Sequence, residues 1–197
     1  MTPILRIIPA VLLAGAGLAA QAATLQFVLP AGPIAPGQGL LVSVLATGLP
    51  ASGPVAFYDF DVGYSPSALS FTNVSFSTAL GNIALGQATN ASLPPDMANG
   101  LLNLSVLNLN PAMLAGQAQT LTLGTLSFTA LQPGDHALSF GFVRMESLLQ
   151  EALTVTAVDT VVSVVPEPAS WALLAIGLGV VLAGRRRLVG RDTVARA

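Results

Sequence analysis

Between residues 24 and 164 the chain alternates apolar and polar positions in short runs, and turn residues separate the runs. A period of two marks half-buried strands, and no stretch of useful length repeats its apolar residues at helical spacing. The pattern predicts strands over 25–29, 40–47, 55–64, 70–76, 101–107, 121–130, 136–143 and 154–164, with another near 83–88. In the third, Tyr58, Phe60, Val62 and Tyr64 share one face, and Asp59 and Asp61 take the other. Leu102, Leu104 and Val106 alternate with Asn103 and Ser105, and Leu138, Phe140 and Phe142 are expected on a common face. Burying such faces against a second sheet is how strands build a core. Leu121 and Leu123 differ in parity from Leu126 and Phe128, which predicts a bulge at the intervening Gly124. Pro33-Ile34-Ala35-Pro36-Gly37, Gly48-Leu49-Pro50, Ser65-Pro66-Ser67, Pro94-Pro95-Asp96 and Gln132-Pro133-Gly134-Asp135 mark turns. The polar stretch 86–100 reads as the most exposed loop. No internal repeat is evident.

The two ends break this pattern. Residues 1–22 read as a secretory signal: Arg6, an apolar run over 7–20, then Ala20-Gln21-Ala22 as the small-x-small cleavage site, leaving Ala23 first in the mature chain. At the other end, Val165-Pro166-Glu167-Pro168 leads into 16 uncharged residues, 169–184, stopped by Arg185-Arg186-Arg187. As a helix the run spans roughly 24 Å, slightly under a hydrocarbon core. Trp171 sits near its entry, and the three arginines belong on the cytoplasmic side, so the domain faces outward. The prolines keep this helix from extending back into the domain. The expected organisation is a signal peptide (1–22), one β domain (23–164), a sorting segment (165–188) with its transmembrane helix (169–184), and a short cytoplasmic tail (189–197).

The Pro-Glu-Pro triplet, short Gly-rich apolar run and arginine cluster together resemble the PEP-CTERM sorting signal of Gram-negative bacteria. That resemblance implies recognition by an exosortase, an inner-membrane cysteine transpeptidase-like enzyme, with processing near the triplet. It also implies transient passage through the inner membrane and delivery to the cell surface or exopolysaccharide matrix.

Composition narrows the function. Hydrophobic residues make up 53% of the chain and charged residues 8%, which excludes a disordered chain. The domain carries Asp59, Asp61, Asp96, Asp135, Glu146, Glu151 and Asp159 against a single Arg144, and lysine is absent throughout. Such a surface repels phosphate backbones, so nucleic acid is not expected as a partner. Absence of cysteine removes disulfides and thiolate chemistry. His136 is the sole histidine and directly follows a Pro-Gly-Asp turn, with no nucleophile-elbow pattern in the chain. Asp59 and Asp61, roughly 7 Å apart along one strand face, are the one oxygen-ligand candidate for calcium. No Asp-x-Asp-x-Asp-Gly loop accompanies them, and a solvated face that discourages strand-edge aggregation is the preferred reading. No cofactor and no catalytic residue is expected. The sequons at Asn73, Asn90 and Asn103 carry little weight in a bacterial chain.

A second resemblance spans most of residues 25–164. The aromatic-rich run from Ala56, then Tyr64-x-Pro66 and Leu69-x-Phe71, is similar to the cohesin pattern. So are Val74-Ser75-Phe76 with Leu80-Gly81-Asn82, the run from Gly124 to Ala130, and Pro133-Gly134-Asp135. The resemblance implies a nine-stranded jelly-roll sandwich related to carbohydrate-binding modules. The function expected is a non-catalytic binding module for a matrix protein or a polysaccharide. A self-associating coat component and an accessory to polysaccharide degradation are the alternatives.

Overall fold

The computed structural model describes residues 22–51, 53–166 and 176–178. Most of the expected signal segment, Glu167, Pro168, Arg185 to Arg187 and nearly all of the expected transmembrane run lie outside these residues. Of that run only Ile176, Gly177 and Leu178 are described, as helix. Among the described residues no helix is long and apolar enough to cross a membrane.

Ten strands form: β1 (Ala23–Val28), β2 (Gly39–Thr47), β3 (Val55–Gly63), β4 (Leu69–Phe76), β5 (Ala88–Asn90), β6 (Leu101–Asn108), β7 (Leu121–Ala130), β8 (Gly134–Ser147), β9 (Val155–Val158) and β10 (Thr160–Val164). They make two five-stranded sheets, ordered β4-β7-β2-β1-β9 and β10-β8-β3-β6-β5. All pairings are antiparallel except β1 with β9. The inward faces of β2, β3, β6 and β7 are almost fully buried, and they form one core cluster between the sheets. Aromatic pairs join the layers directly: Phe27 of β1 stacks on Phe140 of β8 at 4.0 Å between centroids, and Phe128 of β7 meets Tyr64, just past β3, edge-on. Such pairs add to burial because the ring edge and face carry opposite partial charge.

Bulges decide several side-chain directions. The β2–β7 register shifts between Val44 and Leu45, so Leu123 is an extra residue and the parity change at Gly124 follows. A Cβ at Gly124 would lie 3.1 Å from Ser75 O, so close strand approach also favours glycine. A second bulge corrects the expectation for β8. The β3–β8 register shifts between Phe60 and Val62, so Gly141 and Phe142 share the space opposite Asp61. Leu138 is buried and Phe140 half-buried, but Phe142 turns outward and is 56% exposed.

The expected last strand is two strands. β9 pairs with β1 in the first sheet, and after Asp159 the chain crosses to pair β10 with β8 in the second. Asp159 Oδ1 accepts Phe140 N–H at 2.8 Å, capping the β8 position just past the last β10 pair. The expected strand near 83–88 is instead a 3₁₀ turn over Ile83–Leu85 followed by β5. Asn82 caps the turn and left-handed Gly86 ends it, so the local Asx and glycine chemistry overrides the apolar run.

One polar bond inside the core links the layers. Tyr58 Oη donates to Leu123 O at 3.1 Å, on the extra residue of the β7 bulge. Burial pushes the Tyr58 pKa well above its ordinary value near 10. The neutral phenol is therefore favoured in the folded state. Its contribution is complete below about pH 10 and falls away as the pH rises beyond it. Tyr58→Phe is expected to destabilise the fold by about 0.5–1.5 kcal/mol at neutral pH, because the buried Leu123 carbonyl loses one of its two donors and keeps Ser77 N–H. The same variant is expected to flatten the alkaline loss of stability, as read by denaturant unfolding at pH 8 and pH 11.

Candidate functional site

The two outer faces differ in chemistry. The outward positions of the first sheet carry no charge: most are hydroxyl and amide groups, among them Thr24, Gln26, Ser43, Thr125, Ser127 and Thr129, with exposed Leu41 beside Ser127. The second sheet concentrates charge at its centre. Tyr58, Phe60 and Val62 point into the core, so the pleat sends Asp59 and Asp61 outward. On the neighbouring β6, Asn103 stands opposite Asp61 and diagonal to Asp59. Its Nδ2 donates to Asp59 Oδ1 at 2.8 Å and to Asp61 Oδ1 at 2.9 Å. Its Oδ1 accepts Leu93 N–H at 3.0 Å, which fixes the amide orientation and ties the segment after β5 to the same residue.

Arg144 of β8 is opposite Asp59 in the ladder but pairs along its own strand with Glu146, its Nε donating to Oε1 at 2.8 Å. Its guanidinium lies 5.7 Å from the centre of the Phe57 ring. This exposed pair contributes little to stability, but it draws the domain's one arginine toward Glu146. Three carboxylates against one guanidinium leave the face net negative. Gly141 makes room beside Asp61, since a Cβ there would approach the aspartate Cβ to 3.2 Å. Exposed Leu101, Leu107 and Phe142 supply apolar surface on this sheet. At one end of the face, Gly63, Ser65, Asn99 and Ser139 line an open hollow of about 380 Å³.

The arrangement suits recognition by charge and hydrogen bonding. As calcium ligands Asp59 and Asp61 already share an amide donor, and no third carboxylate or histidine joins them among the described residues. His136 Nε2 bonds the Gln132 carbonyl across its turn at 2.9 Å, and neither a serine nor an aspartate side chain bonds it among the described residues. Sequence reasoning paired the aspartates but missed Asn103 as their bridge. The signal was the strand register, which single-strand alternation does not contain.

Both ends of the sandwich are tied into the sheets. Ala23 is buried and donates its N–H to Thr154 O at 2.9 Å, and Ala22 before it is exposed. Ala20 lies outside the described residues. At the other end Val164 is buried, and Val165 N–H bonds Ile34 O at 2.8 Å. Exposed Pro166 follows at once.

Residues 164–187 match the PEP-CTERM protein-sorting motif. The chain carries this sorting signal. It implies processing by an exosortase and export toward the cell surface. No curated protein matches the chain by sequence. Among solved structures, the sandwich is similar to the cohesin of a type I cohesin–dockerin complex from Clostridium thermocellum, with TM-score 0.60, 13% identity, and coverage of 72% of this chain and 99% of that one. A type II cohesin domain from the cellulosome of Acetivibrio cellulolyticus gives 0.60 at 14% identity over 73% and 95%. The second type II cohesin of the adaptor ScaA scaffoldin from the same organism gives 0.61 at 15% over 77% and 96%. The sandwich has the cohesin fold. At these identities the likeness is one of architecture.

Proposed function

We propose that this protein is exported, processed by an exosortase at its C-terminal signal, and displayed at the cell surface or in the extracellular matrix as a non-catalytic protein-binding module. The observation that carries the reading is a sorting motif that starts at the last residue of a cohesin-like sandwich, leaving the domain as what is delivered. Type I relatives of this fold were solved in complex with dockerins, which supports a protein as the partner class. The binding surface is the outer face of β10-β8-β3-β6-β5, where Asp59, Asn103 and Asp61 are held in fixed geometry on rigid strands. A partner presenting basic or amide donors complements it. A saccharide platform has less support, because Tyr58 and Tyr64 are buried and Phe142 is the one largely exposed aromatic ring among the described residues.

The test is retention of matrix proteins on immobilised domain. The double variant Asp59→Asn/Asp61→Asn is expected to weaken retention about tenfold, through loss of both negative charges, with the melting temperature nearly unchanged because each amide oxygen can still accept from Asn103. Equal retention by both proteins would move the site off this face. Retention of matrix polysaccharide alone would favour the saccharide reading.

A further inference from the structure

We propose that two copies of this chain pair antiparallel through the open edge of β4, joining their first sheets into one ten-stranded sheet. β4 is the longest edge strand of the four. It bonds only β7 among the described residues, and from Leu69 to Phe76 it contains no charge and no proline. Natural edges are normally blunted by such residues. The other edges here are protected or short. Past β5 the chain runs on beside β6, where Ala91 N–H bonds Ser105 O, Ser92 Oγ accepts Ser105 N–H, and Pro94-Pro95 interrupts further pairing. β9 and β10 have four and five residues and are joined to each other through Asp159.

The geometry of the β4 edge suits its own copy. Ser77 N–H bonds Leu123 O on β7, so alternation points the backbone groups of Val74 and Phe76 away from β7, toward the open edge. An antiparallel pair centred on Ser75 sets Val74 of each copy opposite Phe76 of the other. Both members of each such pair then have outward N–H and C=O groups, as a hydrogen-bonded pair requires. The operation is two-fold and closed, so it yields a dimer and not a fibre.

Side chains add a second reason. Phe71, Val74 and Phe76 point inward yet remain half-buried, because a groove of about 270 Å³ opens between β4 and the β5–β6 side of the second sheet, with Leu93, Leu102 and Leu104 on its far wall. Val74 and Phe76 of the partner copy would extend this apolar lining. On the other side Ser70, Thr72 and Ser75 continue the uncharged hydroxyl face of the first sheet, so no like charges meet across the join. Because the strands are antiparallel, the Pro166 ends of the two copies point in opposite directions. The pair therefore connects facing surfaces or matrix layers.

The absence of cysteine makes the test clean. Full-length chain in mild detergent is expected to show concentration-dependent dimers by sedimentation velocity. Ser75→Cys is expected to cross-link on mild oxidation, and Thr156→Cys, on the opposite edge strand β9, is expected not to. Ser75→Lys sets two ammonium groups face to face and is expected to raise the dimer dissociation constant at least about tenfold. Ser75 is exposed, so both variants should melt with the parent. A monomer at every concentration, equal cross-linking from the two cysteines, or dimers indifferent to Ser75→Lys would overturn the proposal. The last result would assign association to another segment.

Discussion

Replacing Glu167 and Pro168 together by alanine is expected to strip the protein from the surface fraction and leave the precursor, C-terminus intact, in the inner membrane. The match to the sorting motif runs from Val164 to Arg187, so both residues lie within the recognised signal. The domain itself should be untouched, because its last core residue is Val164 and its last backbone bond is that of Val165 to Ile34. Intact mass of protein from the surface and membrane fractions reads the result. The parent is expected to lose its first 22 residues and the segment beyond the triplet, and the variant only the former. A variant processed like the parent would leave the apolar run and its arginines as the operative signal. Exchanging Arg185, Arg186 and Arg187 for glutamine then separates the two, since such charges are expected to hold a tail on the cytoplasmic side.

The largest expected effect on folding is at Gly100. This residue turns the chain into β6 at φ +66°, and a Cβ there would lie 2.0 Å from Tyr64 O and 2.8 Å from Pro66 Cδ. The contact cannot be relieved by a side-chain rotation, because Tyr64 N–H in turn bonds Gly100 O at 2.8 Å. Gly100→Ala therefore adds left-handed strain of about 1 kcal/mol to a forced backbone shift. The sum is expected to reach roughly 3–5 kcal/mol. For a domain of this size that lowers the midpoint of thermal unfolding by roughly 10–20 °C. Gly37→Ala is the control. Its φ is +84° but a Cβ there meets nothing within 4 Å, so only the backbone strain applies. Equal losses from the two variants would show that conformation alone accounts for Gly100. The hollow beside Tyr64 and Gly100 would be reshaped with the turn.

Much of this protein is legible residue by residue. The alternation of Tyr58, Phe60, Val62 and Tyr64 places a strand and its buried face, because a pleat sends neighbours to opposite sides whatever the fold around it. The parity change across Gly124 locates a bulge for the same reason. The sorting motif is contiguous and needs no tertiary context to be read.

The candidate site needs that context. Asn103 bridges Asp59 and Asp61 only because β6 lies beside β3 in one register, over 40 residues away in sequence. Phe142 faces solvent only because two β8 residues oppose one β3 residue. The last strand divides at Asp159 because the chain leaves one sheet's edge for the other's, a step that its own apolar pattern does not register. β4 is an edge because of the order in which the strands assemble, and nothing within its eight residues distinguishes an edge from a centre. Local pattern determines which side of a strand is apolar, since that depends on backbone geometry alone. Which strands become neighbours, in what register, and which backbone groups remain unpaired are set by how the two sheets bury their faces together. That is a property of the whole chain.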